Sequence, residues 1–217
     1  ATSLFESCHI QKSGNGYIGK PLVAPDEKSA EDITWQDVEN MLSGFAADYL
    51  FNGNLHAREL YFETFRYAIN QGFAYGSGMG TNHHYGYQTR QIYLSAWLMR
   101  KEICQQPDKK DIMDMLTYWS GIQETRKPCK EGRDELLDTW HTLLIPKVIA
   151  ALLPEKDTEK AHRMTQLSQW LSSSLRFTPG TLGGIKVDGT AFHHGGFYPG
   201  YTTGALGAVG SYIGFTL

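Results

Sequence analysis

The sequence predicts an all-α fold built from antiparallel helical hairpins, and three observations carry that reading. Apolar residues recur at helical spacing as far as Leu175. Strand signals are confined to two short pieces. Hydrophobic residues make up 41% of the 217 positions, enough for one chain of this length to bury a core.

Taken in order, the first helix opens at Thr34-Trp35-Gln36-Asp37, a capping box with Asp in place of Glu. It carries Val38, Met41, Leu42 and Phe45 on one face and ends at Asn52-Gly53-Asn54. A second runs from about Leu55 to Asn70 and stops at Gly72. Further helices are expected over about Gln88 to Cys104, Asp111 to Gln123, Glu131 to Leu153 with Pro146 as a kink, and Asp157 to Phe177. Strand pieces are expected at Tyr17 to Val23 and near Gly184 to Val187. Long helices joined by short loops suit bundles, solenoids or toroids, and no residue-level repeat marks a strict solenoid.

Two stretches break the helical texture, Gly72 to Arg90 and Gly180 to Gly204, and both are rich in Gly, His and Tyr. Glycine at that density opposes regular helix and lets a backbone approach a ligand closely. Such loops on a rigid scaffold are where function is sought.

Twenty Lys and Arg against 23 Asp and Glu leave a formal charge of −3. That argues against a nucleic-acid partner, which a basic surplus would mark, without excluding a local basic groove. No apolar run approaches the roughly 20 residues that cross a bilayer, so no membrane partner is expected, and no signal peptide is visible. Cys8, Cys104 and Cys129 stand at wide spacings without a motif and read as free thiols.

His83-His84 and His193-His194 are two tandem pairs among eight histidines, each followed by tyrosines. They could brace turns, hold a metal, or move protons. Adjacent histidines in one loop rarely both reach one ion, and no HExxH or carboxylate-bearing metal motif accompanies them. No nucleophile elbow supports serine chemistry. Proton transfer by Tyr and His remains, provided positive charge or hydrogen-bond donors favour the phenolate. His194 and Tyr201, seven positions apart across Gly-Gly and Pro-Gly, can be folded by turns into one site.

DGTAFHHGGFYPGY, Asp188 to Tyr201, resembles the signature of the chondroitin ABC and hyaluronate lyase family, in which DGT or DGS precedes a catalytic His and then a catalytic Tyr. NHHYGYQTR, Asn82 to Arg90, is similar to the earlier loop of the chondroitin ABC subgroup, in the same order and at a similar separation. The resemblance implies an incomplete (α/α) toroid with Gly-rich active-site loops, and β-elimination at the uronic acids of an anionic glycosaminoglycan: chondroitin sulfate, dermatan sulfate or hyaluronan. Tyr201 would remove the C5 proton, and His194 would act as a second base or hydrogen-bond partner. His83, His84 and Asn82 would neutralise the substrate carboxylate, or a first-loop histidine would serve the opposite C5 epimer. Arg90, Tyr87, His193 and Tyr198 are the further polymer-binding candidates, with Arg126, Arg133 and Lys186 as weaker contacts for sulfate. No cofactor is required by this chemistry, although a divalent cation such as calcium could assist an anionic substrate.

The family also places a catalytic Arg and Glu beyond the His-Tyr loop, together with β-sandwich domains. Residues 1–217 are therefore expected to be part of one helical catalytic domain whose remaining polypeptide is missing, acting in a periplasmic or secreted setting. The competing expectation is a non-catalytic glycosaminoglycan-binding module or an inactive fragment.

Overall fold

A computed structural model describes residues 1–23, 29, 32–78 and 82–216, the last two without their side chains. The chain is mostly helical with a few short strands. It divides into two units, one of residues 1–81 and 87–119, the other of residues 82–86 and 120–217.

In the first unit, a short helix α1 (Thr2–Ser7) leads into an antiparallel hairpin of β1 (Gln11–Ser13) and β2 (Gly16–Ile18). The expected strand at Tyr17 to Val23 thus begins one residue earlier and is shorter, with Leu22 forming a separate bridge to Ile33. Helices α2 (Trp35–Asn52) and α3 (Leu55–Asn70) form the first expected helical hairpin. Asp37 accepts from the Thr34 N–H at 2.8 Å, Gly53 closes α2 in the left-handed region (φ +69°), and Asn54 caps α3 by accepting from the His56 and Ala57 N–H groups. Helix α4 (Asn82–Leu98), α5 (Arg100–Cys104) and α6 (Lys109–Trp119) follow. Trp35, Phe73 and Trp119 pack ring on ring in the core, with centroids 4.1 and 4.5 Å apart.

Three expectations are corrected here. The helix expected from Gln88 begins at Asn82, so the His83-His84 segment is the first turns of a helix, not a loop. That helix breaks at Met99, and the one expected to reach Gln123 ends at Trp119. A 3-10 turn, Ile122–Arg126, follows behind Gly121 in the second unit, where the backbone is left-handed (φ +64°).

The second unit continues with α7 (Leu136–Asp138), a π turn (Thr139–Leu143), α8 (Leu144–Leu152) and α9 (Asp157–Ser174). The helix expected from Glu131 therefore starts at Leu136, and the π turn stands where Pro146 was expected to kink it. Proline supplies no N–H and its ring crowds the carbonyl four residues back, here Thr142, which a wider π turn relieves. After a three-stranded antiparallel sheet, order β3 (Gly184–Ile185), β4 (Ala191–His193), β5 (Gly196–Phe197), the chain ends in α10 (Pro199–Thr216). The second Gly-rich stretch is thus mostly sheet and helix N-terminus, not irregular loop. Trp140, Leu144, Leu167, Trp170, Val209 and Tyr212 form the core of this unit. Trp119, Trp140 and Trp170 are buried, whereas Trp97 is half-exposed with the Arg100 guanidinium 4.2 Å above its ring. Cys8 is buried, and Cys104 and Cys129 are half-buried.

The π turn is gripped from two sides by glycines. A Cβ at Gly86 of α4 would lie 2.6 Å from Thr142 Cβ, and one at Gly204 of α10 would lie 2.7 Å from the His141 ring. Thr142 is wholly buried and has nowhere to move. Gly86→Ala should therefore destabilise the protein by about 1–3 kcal/mol, overriding the roughly 1 kcal/mol that alanine gains as a helix former. A lowered denaturant midpoint at unchanged slope checks this, and an unchanged or raised midpoint would show that the turn gives way.

Candidate functional site

The site is built by two turns. Lys186, Val187, Asp188 and Gly189 form the first. The Gly189 N–H donates to the Lys186 carbonyl at 2.9 Å, Gly189 is left-handed (φ +82°), and Asp188 Oδ1 accepts from the Thr190 N–H and hydroxyl. Those two bonds hold the Asp188 carboxyl below the usual carboxylate range. The Asp-Gly-Thr string is thus a turn-forming device that sets the register of Ala191–His193. His194 and Gly195 form the second, a two-residue hairpin loop between paired His193 and Gly196 in which both residues have positive φ, 49° and 72°. That is the geometry of a type I′ turn, which histidine enters at some cost and glycine enters freely.

His193 closes the strand and His194 opens the turn, so the two differ in exposure although their rings stay in contact. His193 is buried at 1% exposure and His194 stands out with a side chain 59% exposed. The His193 ring stacks 3.8 Å from that of His194 and 4.9 Å from that of Tyr201, one turn into α10. Tyr198 packs edge-on at 5.6 Å from His193 and 5.7 Å from Tyr201. Four of the residues expected from the sequence are therefore assembled in one cluster.

Two residues not foreseen, Asp134 and Asp138, hold that cluster. Asp134 Oδ1 accepts from the His194 N–H and Oδ2 meets His194 Nδ1, both at 2.5 Å, while the Asp134 carbonyl accepts from His193 Nδ1 at 2.7 Å. A carboxylate can only accept, so His194 Nδ1 carries the proton and Nε2 is the basic nitrogen of the neutral ring. Burial alone would raise the Asp134 carboxyl, but the His194 bonds and charge outweigh it and hold it below the usual range. Asp138 Oδ2 lies 3.4 Å from His193 Nε2. Ring nitrogens and carboxylate oxygen of Asp134, His193 and His194 lie within 4.8 Å of one another, close enough to gather round an ion, yet each of the three is engaged in a bond within the cluster.

His83 and His84 belong to the same unit, their rings 4.4 Å apart and edge-on. Burial pushes His83 below the usual imidazole range and His84 adds to this, while Asp138 and Glu135 pull it back. Asn82 lies beside Gly121, which also faces the Lys147 ammonium. Tyr87 and Arg90 belong to the first unit, where the Arg90 charge acts on the buried carboxyl of Glu39. Arg133 and Lys186, expected as sulfate contacts, are engaged internally: Arg133 pairs with Glu124, and Lys186 is buried against Thr178 and the Leu182 carbonyl.

Beneath Asn82, Lys147 is fully buried, with its ammonium 2.8 Å from Glu124 Oε1 and 2.8 Å from the Ser120 carbonyl. Burial would raise the Glu124 carboxyl, but Lys147 and Arg133 hold it below the usual range. Glu124→Gln leaves the lysine buried without its counter-charge and should cost about 3–5 kcal/mol in a denaturant titration. A loss below about 1 kcal/mol would mean that Arg133 and the Ser120 carbonyl suffice.

Residues 3–216 match the family model described as "Lyase, catalytic". The chain belongs to that lyase catalytic-domain family. It is 33% identical over 149 residues to a chondroitin sulfate ABC exolyase of Bacteroides thetaiotaomicron, covering 69% of this chain and 15% of that protein. It is 29% identical over 147 residues to a chondroitin sulfate ABC endolyase of Proteus vulgaris, covering 67% and 14%, and 28% identical over 148 residues to an exolyase of the same organism. The lyase domain thus spans about 15% of the length of the curated relatives it matches. No described helix is long and apolar enough to cross a membrane.

Proposed function

We propose that this lyase domain is the His- and Tyr-bearing part of a polysaccharide lyase that cleaves chondroitin sulfate and dermatan sulfate, with hyaluronan as a further substrate, by β-elimination. The observation that carries this reading is the cluster in which His194, oriented by Asp134, and Tyr201 share the His193 ring.

In this mechanism Tyr201, as phenolate, removes the proton from C5 of the uronic acid. The C5–H electrons form the C4–C5 double bond, the C4–O4 bond breaks, and the tyrosine proton passes to O4 of the leaving sugar. C5–H abstraction beside a carboxylate builds charge on that carboxylate, so the site must neutralise it. His83, His84 and Asn82 are proposed for that task, and Tyr87, Arg90 and Tyr198 are proposed as polymer-binding residues. His194 Nε2 is the second base, or donates to the tyrosine oxygen when protonated. The helical hairpins are proposed to form part of an (α/α) toroid completed by further polypeptide, which would bring the Arg and Glu that the family resemblance implies. A periplasmic or secreted setting follows from such a substrate, no cofactor is needed for the steps above, and calcium is proposed only as an aid to binding.

The test is ultraviolet absorbance of unsaturated uronate when the chain is incubated with chondroitin sulfate, dermatan sulfate and hyaluronan. A rise with any of them supports elimination. No rise, with polymer still bound, would favour a binding module or an incomplete catalytic unit.

A further inference from the structure

The basic side chains of the second unit divide into two groups. Lys147 and Arg133 pair with Glu124, Lys160 with Asp157 and Arg163 with Glu159, while Lys186 is buried. Arg126, Lys127, Lys130 and Arg176 are exposed, and among the described residues none of these four side chains meets a carboxylate or a hydrogen-bond partner. The four share one wall. The Cys129 N–H donates to Ser173 Oγ at 2.8 Å, which fastens the segment after the 3-10 turn along the C-terminal end of α9. Lys130 and Arg176 line the same hollow there, with Glu131 as the one carboxylate among its lining residues. Lys156, the remaining unpaired lysine of the unit, stands at the opposite end of α9, an 18-residue helix about 27 Å long. We propose that Arg126, Lys127, Lys130 and Arg176 form a binding surface for a sulfated glycosaminoglycan, beside the cluster of His194 and Tyr201.

Two features argue for a polyanion. Like charges gathered on one wall repel one another, and leaving them without counter-charges is nothing that folding alone favours. The chain as a whole carries a formal −3, so an anionic polymer is repelled at long range unless a local basic surface receives it. The wall is also placed for the reaction. Lys130 precedes Asp134 by four residues, so their backbones lie within about 14 Å of each other, and Asp134 grips the exposed His194. A polymer engaged at His194 therefore reaches the wall within a few sugar rings. An arginine fork matches sulfate oxygens two at a time, and an exposed lysine meets them as a point charge. Hyaluronan offers carboxylates alone, whereas chondroitin and dermatan sulfate add sulfate groups, so the surface favours the sulfated polymers. Of the three residues expected from the sequence as sulfate contacts, Arg126 is the one left free to make one. This inference rests on the proposed reading of the domain as a glycosaminoglycan lyase, and adds where the polymer lies and which polymers it prefers.

The experiment is fluorescence anisotropy of labelled chondroitin sulfate titrated with the whole protein over a range of salt, which requires no turnover. Lys127→Ala, Lys130→Ala and Arg176→Ala combined should weaken binding at least about tenfold at low salt. The slope of log affinity against log salt should fall by up to about one unit per charge removed. A matched control removes three exposed lysines elsewhere, Lys12→Ala, Lys101→Ala and Lys156→Ala, and should stay within about twofold. All six side chains are exposed, so both variants should keep the denaturant midpoint of the unaltered protein. Equal weakening in the two variants, no weakening in the first, or no binding by the unaltered protein would overturn the proposal. Hyaluronan or single-stranded DNA bound as tightly as chondroitin sulfate would overturn the assignment to sulfated glycan. The elimination reading fails separately: binding that depends on the wall, in a chain that yields no unsaturated uronate, keeps the surface and removes the reaction.

Discussion

Tyr201→Phe is expected to lower the appearance of unsaturated uronate by about a thousandfold or more while leaving polymer affinity within about twofold, since deleting a positioned acid–base group costs on the order of 10²–10⁴ and here one oxygen makes both proton transfers. The substitution removes little else. The ring is 38% exposed, and its contacts with His193 and Tyr198 are ring contacts that phenylalanine retains. Stability should stay within about 0.5 kcal/mol, so folding does not confound the result. Full activity in this variant, assayed beside a denaturant curve, would reject Tyr201 as the base.

The second large effect is expected at Asp134. Asparagine can still accept from His194, but without charge, and it offers the imidazole either tautomer. A loss of about 10²–10⁴ in kcat with KM little changed is expected, as when an orienting carboxylate is neutralised in other His-dependent sites. The same carboxylate carries a pH signature. Its folded value is depressed, so its contribution to stability is present above the ordinary aspartate range and is lost as pH falls through the folded value, below about 4. Asp134→Asn should flatten that acid limb. Glu124 follows the same sign, being held low by Lys147 and Arg133. An unaltered kcat would show that the His194 backbone turn alone orients the ring.

How much of this was legible depended on sequence distance. The α2–α3 hairpin was readable because its caps lie within four residues of the groups they satisfy. The His193–His194–Tyr198–Tyr201 group was readable for the same reason, as one turn and one helix start. Gly86 misled, because a glycine that lets a helix approach Thr142 looks in sequence like one that ends a helix. Helix α10 was hidden for a related reason: its glycines mask the Ala205, Val209 and Tyr212 stripe that packs on the core. Asp134 and Asp138 could not be found at all, since about 60 residues separate them from the histidines they hold and nothing local marks them.

The type I′ turn at His194 makes the tandem histidines a pair of opposites. Two identical side chains in succession are both held by Asp134, yet they differ in exposure because His193 closes the strand and His194 opens the turn. Identity along the chain therefore conceals a division of labour that register enforces. Inserting a single residue between Thr190 and Ala191 would shift the strand's register and take His193 away from the Asp134 carbonyl, with the composition of the site unchanged.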